Sequence, residues 1–119
     1  MNKISEHFSR EEFACKCGCG FDTVDTQLIQ VLEYVRTHFD SPVTINSSCR
    51  CRIHNQMIGG SENSQHLFGR AADIVVKNHT PKEVAEFLGA YMKGWGGLGT
   101  YDSFTHIDTR TQGPARWQG

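Results

Sequence analysis

The sequence lacks long apolar runs, internal repeats and an excess of either charge. Its longest apolar stretches are a few residues, whereas ~20 are needed to cross a bilayer, so no membrane partner is expected. Twelve Lys and Arg balance thirteen Asp and Glu, which gives a formal charge of −1. Because no basic run is present either, no nucleic-acid partner is expected. Seven Phe and two Trp disfavour a disordered chain.

The length of 119 residues is typical of one compact domain, which we expect to span 1–119. No heptad pattern or apolar edge indicates a second copy, so a monomer is expected. The segment 1–12 lacks the apolar core of a secretory signal. We therefore expect the protein to be made in the cytoplasm without a cleaved leader.

Hydrophobic periodicity and capping signals predict a mixture of helices and strands. The predicted elements are, in chain order, a short helix after Ser9, a helix over 25–39, strands over 43–47 and 70–76, a helix from Thr80 to about Gly94, and a strand over 104–108. A loop or short helix is predicted up to Gly60, and a permissive glycine-rich connection over 94–99. This order predicts a small α+β domain with the sheet on one side.

The most informative stretch is 64–73, in which a His and an Asp lie seven residues apart. His66 falls in a predicted turn and Asp73 in the strand that follows it, and the small residues Gly69 and Ala71 lie on the Asp73 face of that strand. A third donor, His106, lies on a separate predicted strand. A His/Asp/His set leaves the fourth position of a zinc ion open for water, as catalytic zinc sites do. The alternative is that all three residues are structural and bind no metal.

A longer pattern surrounds these three residues. Its matching positions are Ser64-x-His66-x-x-Gly69-x-Ala71-x-Asp73, His106-x-Asp108, the segment 45–50, His54-Asn55 and Gly59-Gly60. In this pattern the chain resembles the zinc D,D-peptidase family, which includes D-alanyl-D-alanine carboxypeptidases, D-Ala-D-Ala dipeptidases and phage endolysins. The resemblance covers most of the chain and is greatest to short, single-domain members of the carboxypeptidase branch.

The resemblance implies a fold, a metal and a substrate. The implied fold is Hedgehog/D,D-peptidase-like, a mainly antiparallel sheet with helices packed on one side. His66, Asp73 and His106 match the ligands of one catalytic zinc ion. Arg50 matches an arginine that holds the substrate's carbonyl or carboxylate, and Ser64 matches a serine that lines the site. The implied substrate is a peptidoglycan stem peptide, cleaved by a D-Ala-D-Ala carboxypeptidase or an endopeptidase.

At the general base the chain departs from the family pattern. Several members place Glu or Asp three residues before the last His ligand, where this chain has Ser103. Asp102 is the first candidate to replace that base. Asp108 is the second, although its position on the strand face of His106 also suits it to orienting that imidazole. The remaining alternatives are His54, His79 or no base.

The five cysteines lie in two short segments, which contain Cys15, Cys17 and Cys19, and Cys49 and Cys51. Three states are compatible with this arrangement: free thiols, one or two disulfides, or a second, structural zinc ion held by thiolates. An odd number cannot all pair, and C-x-C spacing is less typical of structural zinc than C-x₂₋₄-C. The sequence leaves the three states open.

Two functions from different classes follow from these observations. The first is a zinc metallopeptidase acting on peptidoglycan, which would need a release step to reach the cell wall, as a phage or prophage lysis enzyme does. The alternative is a zinc-binding, catalytically inactive binding module of the same fold. The serine at position 103 favours that alternative, because serine cannot act as the base.

Overall fold

The chain begins with helices, continues with a mixture of helices and strands, and ends with three strands in succession. The computed structural model describes residues 2–119. The helices are α1 (Thr26–Phe39), α2 (Arg52–Met57), α3 (Pro81–Tyr91) and two short 3-10 helices, Arg10–Phe13 and Gln65–Phe68. The strands are β1 (Val43–Ser47), β2 (Ala71–Val76), β3 (Gly97–Thr100), β4 (Thr105–Asp108) and β5 (Ala115–Gln118). Among the described residues, no helix combines the length and apolarity needed to traverse a bilayer.

The strands form one sheet in the order β1-β2-β4-β3-β5. Neighbours are antiparallel except β3 and β5, which are parallel. In the register of β2 and β4, Asp73 lies opposite His106, and Ala71 lies opposite Asp108. Because successive side chains of a strand point to opposite faces, Asp73, His106 and Asp108 share one face of the sheet.

The other face of the sheet carries the hydrophobic core, against which α1 and α3 pack. The core includes Leu28, Val31, Leu32 and Val35 of α1, Ile74 and Ile107 of β2 and β4, and Val84 and Leu88 of α3. Burying each of these side chains contributes about 1.5–3 kcal/mol. A slip of one residue in β2 or β4 would expose this apolar set, so the core fixes the register that turns Asp73 and His106 away from it.

The predicted fold class, α+β with a mainly antiparallel sheet, is confirmed. The predicted helix over 25–39 corresponds to α1, and the predicted loop or short helix contains α2. The prediction of a glycine-rich connection over 94–99 was wrong for its second half, because residues from Gly97 onward form β3. Glycine is depleted in strands, so this segment gave no strand signal. Strand β5 was not predicted either, because its four residues include only one large apolar side chain.

Two glycines of β3 leave space for larger side chains of the neighbouring strands. A β-carbon on Gly97 would collide with the carboxylate of Asp108, and one on Gly99 would collide with the indole of Trp117. Gly97 lies opposite Asp108 in the register of β3 and β4. The absence of side chains at these two positions therefore shapes the polar face of the sheet.

Gly97→Ala is expected to destabilise the protein by about 1–3 kcal/mol, because the added methyl group must displace the buried Asp108 carboxylate. Urea unfolding monitored by circular dichroism measures this change. The matched control is Gly89→Ala within α3, where an added β-carbon has no neighbour within 4 Å. That control should stabilise the protein by up to about 1 kcal/mol. Equal effects of the two substitutions would contradict the packing argument.

Candidate metal centre

Three side chains with metal-ligating atoms converge on the polar face of the sheet. His66 lies on the 3-10 helix that precedes β2, Asp73 on β2 and His106 on β4. One ligating atom from each lies within 4.8 Å of the other two, and all three residues are buried. Asp73 Oδ1 lies 2.9 Å from His106 Nδ1 and 3.3 Å from His66 Nε2. The structure thus brings together the three residues that the sequence indicated as ligands.

The partners of the two imidazoles determine which ring nitrogens face Asp73. His66 Nδ1 lies 2.7 Å from the carbonyl oxygen of Ser48, which can only accept, so Nδ1 carries a proton and Nε2 is the ring nitrogen that faces Asp73. His106 Nε2 donates to Asp108 Oδ2 at 2.8 Å, which leaves Nδ1 toward Asp73. A hydrogen bond from the second nitrogen is the usual support of a zinc-bound histidine.

The donor set fits a zinc ion. Two imidazole nitrogens and one carboxylate oxygen are ligands that zinc takes in catalytic sites, where a fourth position stays open. Zinc–ligand bonds of about 2.0–2.2 Å in a tetrahedron place ligand atoms about 3.3–3.6 Å apart. The 3.3 Å separation between Asp73 Oδ1 and His66 Nε2 is within this range, and the 2.9 Å separation between Asp73 Oδ1 and His106 Nδ1 is slightly shorter. His66, Asp73 and His106 could therefore hold the ion with little movement.

Burial and hydrogen bonding oppose each other in setting the charges of the cluster. Burial favours a neutral Asp73, but hydrogen bonds with His106 and His66 outweigh it and hold the pKa of Asp73 well below its ordinary value. Burial lowers the pKa of His106, but the carboxylates of Asp108 and Asp73 raise it by more than burial lowers it. The net effect is a pKa above the ordinary value of histidine. Asp73 is therefore an anion, and a bound cation would take the place of a proton on His106.

Arg50 brings a positive charge to the edge of this cluster. Its Nη2 lies 3.3 Å from Asp73 Oδ2, and its Nη1 donates to the side-chain oxygen of Asn55 at 3.2 Å. The Arg50 side chain is 13% exposed. Its backbone N–H donates to the carbonyl of His66 at 3.0 Å, so the segment of Arg50 is joined directly to that of His66.

Asp108 lies behind His106 and is completely buried. Its carboxylate accepts from His106 Nε2, from the Arg110 backbone N–H at 3.1 Å and from two guanidinium nitrogens of Arg110 at 2.7 and 2.8 Å. Burial raises the pKa of Asp108, but the bonds from Arg110 and His106 prevail and hold it below its ordinary value. Asp108 is thus an ionised partner that orients His106.

The cluster forms part of the wall of an open cavity of about 620 Å³. This volume lies within the range of about 300–1,000 Å³ that is typical of small-ligand sites. Ser64, which the sequence predicted at the site, lines this cavity. Its hydroxyl also accepts a hydrogen bond from the backbone N–H of His66 at 3.2 Å, which caps the 3-10 helix.

The two predicted base candidates lie in different environments. Asp108 is buried beside His106, whereas Asp102 is exposed in the bend between β3 and β4 and does not line the cavity. Within residues 2–119, Asp73 is the one carboxylate in the cavity wall. His54 and His79, the remaining named candidates, do not line the cavity either.

Sequence reasoning missed several residues of the cavity wall. Tyr101, Arg110 and Trp117 all line the cavity, and Trp117 Nε1 donates to the Tyr101 hydroxyl at 2.9 Å. Arg110 follows Asp108 by two residues, so its pairing with that carboxylate had a sequence signal. Trp117 had none, because it reaches the site only through the pairing of β5 with β3.

Four of the five cysteines also come together, away from the cavity. The sulfur atoms of Cys15, Cys17, Cys19 and Cys51 all lie within 4.8 Å of one another. Cys49 is not part of this cluster: it is buried and its thiol contacts the carbonyl of Thr23 at 3.4 Å. The prediction that included Cys49 in a second metal site is corrected to four residues.

Comparison with known proteins relates this geometry to a peptidase family. A sequence profile of the family described as Peptidase M15 matches residues 6–108. The zinc D-Ala-D-Ala carboxypeptidase of Streptomyces albus G is 43% identical over 35 residues, which are 29% of this chain. The matched segment is 14% of the length of the Streptomyces protein, so the similarity spans a small part of that relative.

Proposed function

Because the chain belongs to the peptidase M15 family, we propose that it is a zinc-dependent peptidase that hydrolyses a bond in peptidoglycan stem peptides. The observation that carries this proposal is the cluster of His66, Asp73 and His106 in the wall of an open cavity, with Arg50 beside it. The bond cleaved is adjacent to a D-amino acid, in the manner of a D-Ala-D-Ala carboxypeptidase or an endopeptidase.

Each ligand has a defined task in this proposal. When bound, zinc lowers the pKa of a coordinated water toward ~7 and polarises a substrate carbonyl. His66 and His106 provide the neutral nitrogen donors, and Asp73 provides the negative charge. The Ser48 carbonyl and the Asp108 carboxylate keep both imidazoles in the required tautomer.

Arg50 is the proposed substrate-binding and oxyanion-stabilising residue. Its guanidinium is charged at all working pH values and presents several donors in a plane. It is held at the cavity by Asp73 and Asn55. From there it can donate to the oxygen of the scissile carbonyl as negative charge develops, or to the terminal carboxylate of the peptide. Ser64 supports this arrangement by lining the cavity and capping the turn of His66.

We assign the proton-accepting role to Asp102 and a positioning role to Asp108. The oxygens of Asp108 already accept from His106 and Arg110, which suits it to orienting an imidazole rather than to exchanging protons with a substrate. Asp102 follows Tyr101, a residue of the cavity wall. The base role requires the exposed Asp102 carboxylate to turn toward the cavity when the peptide is bound.

The substitutions Asp102→Asn and Asp108→Asn should have separable effects. Loss of a general base lowers kcat by about 10²–10⁴-fold, so Asp102→Asn should do so without changing the affinity for zinc. Loss of the partner of a ligand lowers the affinity for metal by about 10–100-fold, which is the result expected for Asp108→Asn. Turnover of a synthetic stem peptide and zinc competition with a chelator measure the two quantities. Wild-type turnover by Asp102→Asn would exclude Asp102 as the base.

The proposed activity can be tested by mass spectrometry of purified peptidoglycan fragments incubated with the protein. We expect a new fragment that disappears with a chelator and returns when zinc is added. Its mass identifies the bond, because removal of a terminal D-alanine and cleavage within a cross-link yield different products. Failure of a zinc-loaded protein to produce any fragment would contradict the proposal.

One observation favours a second candidate, a zinc-binding module without turnover. Among the described residues, the cavity wall contains no carboxylate besides the proposed ligand Asp73. Such a module would bind one zinc at the same three residues and retain peptide affinity. Binding of muropeptides without cleavage, measured by calorimetry on the zinc-loaded protein, distinguishes it from the peptidase.

The proposed setting is a phage or prophage lysis enzyme that reaches the cell wall after release from the cytoplasm. Expression in a bacterial host with and without a pore-forming lysis protein tests this setting. Lysis only in the presence of both proteins is the expected result. Lysis without the pore-forming protein would contradict the dependence on release.

A further inference from the structure

The cysteine cluster joins two parts of the chain that are distant in sequence. Cys15, Cys17 and Cys19 lie on the loop after the first 3-10 helix, and Cys51 immediately precedes α2. Cys15 Sγ lies 3.4 Å from Cys17 Sγ, which in turn lies 3.6 Å from Cys51 Sγ. No carboxylate or imidazole belongs to this group of ligating atoms in the described chain, so its donors are all sulfur.

Backbone hydrogen bonds close the loop that carries three of the cysteines. The backbone N–H of Cys15 donates to the Phe21 carbonyl at 2.8 Å, and that of Gly18 donates to the Cys15 carbonyl at 3.1 Å. Gly18 and Gly20 have φ values of +82° and +95°, a region that side chains disfavour. The two glycines thus allow a tight loop in which the thiols of Cys15, Cys17 and Cys19 lie close together.

Backbone N–H groups also point at the sulfur atoms. The N–H of Cys51 donates to Cys15 Sγ, and the N–H of His54 donates to Cys51 Sγ, each at 3.4 Å. Such donors stabilise the negative charge of thiolates, which are the forms that bind metal. The surroundings of the cluster are therefore already arranged to receive sulfur anions.

The number and separation of the sulfur atoms favour a metal ion over disulfides. Four thiolates at zinc–sulfur bonds of about 2.3 Å form a tetrahedron with edges of about 3.8 Å, close to the 3.4 and 3.6 Å separations. Disulfide pairing can join Cys51 to only one of the other three. The remaining two would then have to pair within the short 15–19 loop. One tetrahedral ion satisfies all four at once.

We propose that Cys15, Cys17, Cys19 and Cys51 bind a second, structural zinc ion that fastens the 15–19 loop to the start of α2. A tetrahedral all-sulfur site selects soft metal ions, of which zinc is the redox-inactive choice. With four protein ligands this site has no open position for water, in contrast to the three-ligand centre of His66, Asp73 and His106.

The second ion would act on the cavity by holding Arg50 in place. Arg50 lies between Cys49 and Cys51, and the backbone N–H of Cys49 donates to the Phe13 carbonyl at 3.0 Å. The chain is thus tied to the core on one side of Arg50 and to the proposed ion on the other. This consequence rests on the proposed peptidase function, whereas the presence of the ion does not.

Metal analysis of the purified protein tests the proposal without reference to activity. We expect about two zinc ions per chain, because the two ligand sets are separate. Cys17→Ser should reduce the content to one, and so should His66→Ala, through loss of different ions. Cobalt substitution should give a sulfur-to-metal charge-transfer band in the wild type and in His66→Ala, but not in Cys17→Ser. Cys49→Ala is the matched control and should retain both ions.

Three results would overturn the proposal. The first is a content of one zinc ion per wild-type chain, together with a cobalt spectrum that shows nitrogen and oxygen ligands and no sulfur-to-metal band. The second is a mass of the unreduced protein that shows disulfides among the four cysteines. The third is alkylation of all four thiols at equal rates with and without zinc. If two ions are found but no peptide is cleaved, the structural site stands and the proposed function fails.

A kinetic readout separates the positioning effect from loss of the catalytic ion. In Cys17→Ser loaded with one zinc, we expect a lower kcat/KM with the His66 centre still occupied. Unchanged kcat and KM in that variant would show that the second ion does not position Arg50.

Discussion

His66→Ala is expected to abolish peptide hydrolysis and to remove the zinc ion of the catalytic centre. The imidazole supplies one of the three proposed ligands, and its loss leaves His106 and Asp73 as an incomplete set. The fall in kcat/KM should exceed the about 10²–10³-fold contributed by a single oxyanion donor, because the chemistry depends on the ion as a whole. Steady-state kinetics and metal analysis on the same preparation measure both effects.

Folding must be separated from metal loss in this experiment, because His66 is buried. Its removal leaves the Ser48 carbonyl without its hydrogen bond, at a cost of about 1–3 kcal/mol. Chelation of the wild-type protein, followed by zinc addition, removes and restores the ion without a substitution. His79→Ala is the control, because His79 does not line the cavity and its half-buried side chain pairs with Glu83 at 3.3 Å. Full activity of chelated wild-type protein would contradict a metal-dependent mechanism.

Arg50→Lys is expected to lower kcat/KM by about 10²–10³-fold, as loss of one oxyanion donor does. Lysine keeps the charge but cannot reproduce the planar arrangement in which Arg50 contacts Asp73, Asn55 and Ser47 together. If Arg50 contacts only the oxyanion, kcat falls and KM is unchanged. If it also holds the terminal carboxylate, KM rises for peptides with a free carboxyl end.

Three controls make the Arg50 result interpretable. Arg52→Lys changes an exposed residue two positions away and should leave the kinetics unchanged. Zinc content should stay at the wild-type value, since Arg50 is not a ligand. A stem peptide amidated at its C-terminus reveals the second contact, because it should lose the KM effect. Wild-type kcat/KM in Arg50→Lys would exclude a role for the bidentate guanidinium.

The helices and the His66–Asp73 motif were predictable because their signals are local. Residues three and four apart along α1 form one apolar stripe, and the capping box at Thr80 marks the start of α3. The spacing from His66 to Asp73 is also local, because a turn and a strand follow each other directly. The resemblance to the zinc D,D-peptidase family, carried by that motif and His106, is confirmed by the Peptidase M15 match over residues 6–108.

The sheet edge and the cavity wall were not predictable in the same way. Strand β3 consists of Gly, Leu, Gly and Thr, and its extended form depends on pairing with β4 and β5 rather than on its own preference. The parallel pairing of β5 then brings Trp117 to within 5.1 Å of His106, between ring centres. Periodicity within a segment predicts its own secondary structure, but it does not predict which distant strand the segment will pair with. The pairing of β5 with β3 was therefore not predictable from the sequence.

The sequence by itself determined which residue types are available for chemistry: two histidines and an aspartate that match a metal-ligand pattern, an arginine that matches a substrate-binding position of the family, and cysteines in two groups. Tertiary structure alone decided how they combine. The register of β2 and β4 sets Asp73 opposite His106, and the loop before α1 meets the start of α2 so that Cys51 joins three cysteines while Cys49 does not. The physical reason is that ligand geometry depends on distances across the fold, and these are set by core packing and strand pairing rather than by neighbours in the chain.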